Sequence, residues 1–292
     1  MRAPLVAAAW LAFAGQARAA PADPLAAELE KAKAEGFSMK RKLVVPAPWG
    51  GRLATYVFSN DAEDFDRLRT WHVKGGKAAL VYYEASSSQR IEPDAVHAQG
   101  RLPDLYGDGS RALAYTVSGA GRTQLRLVRF LRGGAVPERT PLPGGVLQDL
   151  DGDGRPEVLS RSTPLGRFLT IECGGFFSMA QEAQRTTIYE LRDGKLSPAS
   201  LSHARWFDGH IAQLEGELAG LDPRNTRRYG DYLSAALSLY FDFAEKGLPR
   251  QGWSRFSELF RPSSGDPRPV ADCIFQVRGD LRRRLNVPEQ WE

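Results

Sequence analysis

Around residue 200 the chain changes its hydrophobic period, and no other feature constrains its fold as strongly. From about residue 40, β-rich runs at 53–58, 79–83, 125–131 and 187–191 alternate with the turn pairs Gly75-Gly76, Gly133-Gly134 and Asp193-Gly194. Two-residue links containing glycine between such runs are the mark of antiparallel hairpins. Beyond residue 200, Phe207, Ile211, Leu214 and Leu218 recur at helical spacing. The segment from Asp231, which can cap it, to Lys246 is mostly apolar, with Ser234, Ser238, Asp242 and Glu245 forming a thin polar stripe. A last helix, opened by Pro269, sets Val270, Ile274, Val277 and Leu281 on one face. The expected fold class is therefore α+β: an antiparallel β-rich region over 41–200, then an α-helical region over 201–292.

The first residues read as an address. Arg2, an apolar run from Leu5 to Ala14, and Ala17-Arg18-Ala19 make a secretory leader over 1–19, cleaved after Ala19. Residues 20–40 then form a short helix and linker, begun by Asp23-Pro24 and closed by Gly36. No later stretch approaches the roughly 20 apolar residues of a membrane-spanning helix. The expectation is an exported protein, periplasmic or extracellular, and not an integral membrane protein. The leader takes Arg2 and Arg18 off a formal charge of +4. Near balance disfavours nucleic acid as a partner, and the run Arg282-Arg283-Arg284 reads as a solvated helix face. Only Cys173 and Cys273 occur. Export permits a disulfide between them, closing a loop of about 100 residues for roughly 4–5 kcal/mol; two separate buried thiols are the other reading, and both stay open.

One loop carries chemistry. Asp149, Asp151, Asp153 and Glu157 occupy positions 1, 3, 5 and 9 of a nine-residue run, with Gly152 and Gly154 between them. The alternation lets several carboxylates turn inward on one hard cation, and the glycines permit the curl. Oxygen-only ligands favour calcium over zinc or copper, with Arg155 contributing its carbonyl. An EF-hand reading fails, because Ser160 stands where a bidentate carboxylate belongs and the flanks read as strands. The competing reading is a metal-free Asp-Gly turn. The motif has a partial copy: Asp104 to Gly109 aligns with Asp149 to Gly154 at an offset of 45 residues, but has Tyr106 at position 3 and Ala112 at position 9. That copy is expected to be metal-free.

The loop Asp149, Asp151, Asp153, Arg155 and Glu157, with its two glycines, resembles the calcium loop of FG-GAP/VCBS-type repeats, found in integrin-like β-propellers. The resemblance covers roughly residues 50–200 and is partial. It implies propeller-like blades, structural calcium, and a role in adhesion or recognition. Three units of about 45 residues fall short of the roughly 4–8 blades of closed propellers. The expected form is incomplete blades or an open sheet, with the helical part covering an edge.

Catalytic signatures are absent: there is no H-E-x-x-H, no G-x-S-x-G and no P-loop. His72, His97, His203 and His210 are scattered, although His203 and His210 stand seven apart, so that one helix could present both on a face. The leading expectation is a non-enzymatic, calcium-braced protein that binds an envelope protein or polysaccharide, with Trp49, Trp71 and Trp206 as candidate contacts. The alternative is an exported hydrolase acting on an envelope polymer, its carboxylates drawn from Asp61, Glu63, Asp64 and Asp66.

Overall fold

The computed structural model describes residues 23–93, 102–119, 122–137, 142–166, 169–172, 178–181, 183–192, 195–222 and 229–291. Residues 1–19, expected as a leader, His97, Cys173 and the Asp193-Gly194 turn expected from the sequence lie outside the described residues. A short helix, α1 (Ala26–Ala34), precedes the first sheet, and Asp23 accepts the Leu25 amide at its start, 3.1 Å. The sheet is a four-stranded antiparallel meander in chain order: β1 (Ser38–Pro46), β2 (Arg52–Asn60), β3 (Phe65–Lys74) and β4 (Lys77–Ser87). Gly75 and Gly76 join β3 to β4 with φ of 56° and 75°. Those left-handed angles are what a two-residue turn needs to match strand twist.

The second sheet repeats the plan with β5 (Arg90–Pro93), β6 (Arg111–Gly119), β7 (Arg122–Leu131) and β8 (Gly134–Pro137), and β9 (Leu142–Pro143) returns to pair with β7. In the third, β10 (Gly145–Gln148) and β11 (Glu157–Ser162) are followed by a separate hairpin, β12 (Leu169–Glu172) with β13 (Ser178–Gln181). The sheet resumes with β14 (Arg185–Arg192) and β15 (Lys195–Pro198), in the order β10-β11-β14-β15. A 3-10 turn, Ser200–His203, leads into α2 (Ala204–Ala219), α3 (Tyr229–Glu245), α4 (Pro249–Leu259) and α5 (Arg268–Arg284). The α+β class and its division near residue 200 are as the hydrophobic period implies. No described helix is long and apolar enough to cross a membrane.

The sheets stack face to face because each is apolar on both sides. One face of the first sheet, Ala54, Tyr56, Phe58 and Trp71, packs on Leu25, Ala32 and Phe37 at α1. Its other face, Leu53, Val57 and Leu68, meets Leu113, Tyr115, Val117, Val128 and Phe130 of the second sheet. The alternate residues Ala112, Ala114, Leu125 and Leu127 then face Leu147 and Val158 of the third. The period of two along a strand sends neighbours to opposite layers. The far side of the third sheet, Leu159 and Ile188, is buried under Phe207, Leu214, Leu233, Leu237 and Trp253 of the helices. The sheets are open, and the helical part covers a face of the last one rather than an edge. That outcome follows from area: an edge offers few apolar side chains, whereas Leu159 and Ile188 each return roughly 1.5–3 kcal/mol when covered.

Candidate functional site

The link from β10 to β11 folds on its own side chains. Asp149 accepts the amides of Gly152 (2.7 Å) and Gly154 (3.0 Å), Asp151 that of Asp153 (3.1 Å), and Asp153 that of Arg155 (2.7 Å). Gly152 and Gly154 stand at φ 79° and 85°, which side chains resist. As a result carboxylate oxygens of Asp149, Asp151 and Asp153 lie within 4.8 Å of one another, all three exposed. Among the described residues none of the three forms an ion pair. Asp151 and Asp153 each keep one oxygen outside the amide bonds. Such an all-oxygen set suits a hard cation such as calcium.

The other two expected ligands are placed differently. Glu157, at the start of β11, is buried, and its Oε2 accepts the Leu150 amide at 2.7 Å. Burial pushes its carboxyl above the usual range, against the pull of that amide and of the nearby His203. Arg155 lays its guanidinium over Gly107, where an added Cβ would stand 2.9 Å from the guanidinium carbon. So the partial copy of the motif lies against the full one.

The copy is built alike. Gly109 donates to Asp104 at 2.8 Å, as Gly154 does to Asp149, and Ser110 donates to Asp108 at 3.0 Å, as Arg155 does to Asp153. Gly107 and Gly109 repeat the left-handed pair, at φ 64° and 78°. The difference is the source of positive charge. Arg129 of β7 pairs with Asp108, donates Nε to Ser110 Oγ at 3.1 Å, and stands 4.3 Å from the centre of the Tyr106 ring. Tyr106 occupies the position held by Asp151 in the full loop. One loop thus receives a guanidinium from β7, and the other has three converging carboxylates that form no ion pair among the described residues.

A second polar assembly lies under the helices, and it uses the stripe on α3. Asp242, buried, meets His210 Nδ1 of α2 at 2.5 Å, and the ring stacks on Trp206 at 5.1 Å. That hydrogen bond raises the imidazole above its ordinary 6.5, against desolvation. Glu245, buried at the C-terminal end of α3 where the helix dipole disfavours an acid, is compensated from β14. Its Oε1 takes Arg185 Nε at 2.5 Å and Thr187 at 3.3 Å, and its Oε2 takes the Ser200 hydroxyl. Ser234 and Ser238 line an open pocket of about 390 Å³ between α2, α3 and the third sheet, shared with His210 and Arg161. Sequence reasoning passed over this assembly; a four-residue polar stripe on an otherwise apolar helix was its signal.

Other candidates resolve into framework. Asp61, Asp64 and Asp66 all bind Arg90, at 3.1, 3.2 and 3.2 Å, and buried Asp66 also takes the Ile91 amide at 2.9 Å. They tie the first sheet to the second through one shared guanidinium. Glu63 donates its amide to Asn60 at 3.3 Å, within the same turn. His203 and His210 do not share a face: His203 precedes α2 and binds Glu190 at 2.7 Å. His72 bonds the Gly50 carbonyl at 2.8 Å. Trp71 is buried against α1 and is no surface contact, while Trp49 and Trp206 are half-buried. Cys273 is disulfide-bonded; the one other cysteine in the sequence lies outside the described residues. No family model, curated protein or solved structure matches the chain.

Proposed function

We propose that the chain is an exported, non-enzymatic protein whose stack of sheets is braced by calcium and which serves recognition or scaffolding at the cell envelope. The observation that carries this reading is the contrast between the two loops. With two amide bonds in common, the 104–109 loop is neutralised by Arg129, while the 149–157 loop gathers Asp149, Asp151 and Asp153 and turns Arg155 away. A divalent ion would supply there what the guanidinium supplies next door. The three aspartates would hold it, with Glu157 and the Arg155 carbonyl as the remaining members of the expected set. Its role would be structural. It would pin the β10–β11 turn against the second sheet, beside the shared layer of Leu105, Leu125, Leu147 and Val158. The leader and the FG-GAP/VCBS-like loop support export and recognition.

The test is equilibrium dialysis of the purified chain against ⁴⁵Ca²⁺, with Asp149→Ala and Asp151→Ala beside it. One ion bound by the parent chain and none by the variants is expected. Binding that survives both substitutions would move the site elsewhere, and no binding at millimolar calcium would end the proposal. The hydrolase reading keeps one observation in its favour, the oriented His210–Asp242 pair at the mouth of a pocket.

A further inference from the structure

The pocket between α2, α3 and the third sheet is separate from the calcium loop, and its lining is unusual. Small-molecule clefts are lined mainly by apolar side chains. Here only Leu214 and Ala235 are apolar, and the rest of the wall is amide, hydroxyl or charge. A volume of about 390 Å³ falls at the small end of the roughly 300–1,000 Å³ usual for ligand sites. It would admit one compact, polar molecule.

Three groups in the wall are not used up by the fold. Arg161, on β11, is exposed and forms no ion pair or side-chain hydrogen bond among the described residues. Thr186, on β14, is 3% exposed, and its hydroxyl bonds to none of the described residues. His210 spends Nδ1 on Asp242, which leaves Nε2 for the pocket. The buried carboxylate fixes both the tilt of the ring and the tautomer, with the proton on Nδ1.

The charges around these groups narrow the ligand. Arg161 faces the pocket from β11, Glu217 from α2 and Asp231 from the start of α3, while Asp242, with Glu245 behind it, backs His210. A bare anion would gain from Arg161 and lose to Glu217; a bare cation would meet the reverse. A ligand bearing several hydroxyls suits both, since each hydroxyl donates to a carboxylate or accepts from a guanidinium as required. The same holds at His210. Neutral, its Nε2 accepts; protonated, it donates; a hydroxyl answers either state. Gln213, which donates to Glu217 at 2.9 Å, retains its carbonyl for a further hydroxyl.

We propose that this pocket binds one saccharide unit, held principally by the guanidinium of Arg161 and by Nε2 of His210. The site goes beyond the calcium reading and does not depend on it. With four histidines in the chain, the ring ¹⁵N resonances are few enough to follow singly. The ¹⁵N-labelled full chain is titrated with glucose, N-acetylglucosamine and glucuronate, and in parallel with acetate and phosphate. A saturable shift of the His210 ring nitrogens by at least one sugar is expected. Arg161→Ala, at an exposed side chain with no partner to orphan, weakens that sugar on the order of tenfold or more, the loss of a charge-assisted hydrogen bond. Asp149→Ala with Asp151→Ala leaves the titration unchanged, so loss of the calcium site and loss of the sugar site are told apart. Shifts by acetate or phosphate with none by sugars would replace the proposal with an anion site. Silence in every titration, or an Arg161→Ala variant that binds sugar as the parent does, would overturn it.

Discussion

Replacing Asp151 by asparagine should change sign with calcium. The substitution keeps an oxygen for the Asp153 amide, bonded at 3.1 Å, and removes one of three charges whose oxygens lie within 4.8 Å of each other. Two unit charges at that separation repel by about 0.9 kcal/mol in bulk water, and a Debye length of about 8 Å trims this to roughly 0.5. Asp151 takes part in two of the three pairs. In chelator, Asp151→Asn should therefore be more stable than the parent by about 1 kcal/mol, or roughly 2–4 °C in Tm for a chain of this size. With free calcium at a hundred times Kd, the parent gains about 2.7 kcal/mol by mass action. The variant, short of a ligand, gains little, and the order of stabilities reverses. Thermal melts of both proteins in EDTA and in millimolar calcium at constant ionic strength provide the assay. If calcium lifts the two equally, no ion sits among these aspartates. If the variant is the weaker protein in EDTA, the carboxylates are not in electrostatic conflict, and the argument from the two loops fails.

Three further outcomes are expected. Arg129→Met should cost about 2 kcal/mol whether or not calcium is present, from the partly exposed pair with Asp108, the ring of Tyr106 and the Ser110 hydrogen bond together; urea melts measure it, and a calcium-dependent loss would show that the copy also binds metal. His210 titrates above 6.5 in the fold because of Asp242, so its ion pair contributes fully below 6.5 and the contribution is lost as pH rises through the raised value; His210→Gln should flatten the fall in unfolding free energy above pH 6.5, and an unchanged slope would refute the assignment. Phe207→Ala, at a fully buried ring between α2 and the third sheet, should cost roughly 3–5 kcal/mol; helix and sheet signals should then melt together at a lower urea midpoint, whereas separate melting would mean that the helices are not the cover of that sheet.

The parts of this protein that could be read from its residues are those that local chemistry controls. Strand alternation, glycine turn pairs and the period change at residue 200 are short-range effects, so the two halves of the fold were legible in the chain. The 149–157 loop was legible too, because its hydrogen bonds run between residues two, three and five apart, and the glycines needed for φ near 80° are themselves part of the motif. Even the kinship of the two loops could be seen at an offset of 45 residues. What could not be seen was Arg129, which reaches the copy from the next strand but one, or Arg155, which turns to cover Gly107.

Tertiary structure decided everything that depends on which surfaces meet. Nothing local said that Trp71 would face α1, that Asp61, Asp64 and Asp66 would close around Arg90, or that the helices would lie over a face of the third sheet. Nor did it say that Asp242 would find His210 some thirty residues away, or that Glu245 would find Arg185 about sixty away. A buried charge must obtain its partner from whatever element packs against it, and packing is settled by the apolar faces of whole sheets and helices acting at once. The sequence therefore determined the elements and the carboxylate loop, and the stacking of those elements determined which polar groups are answered and which remain for a ligand.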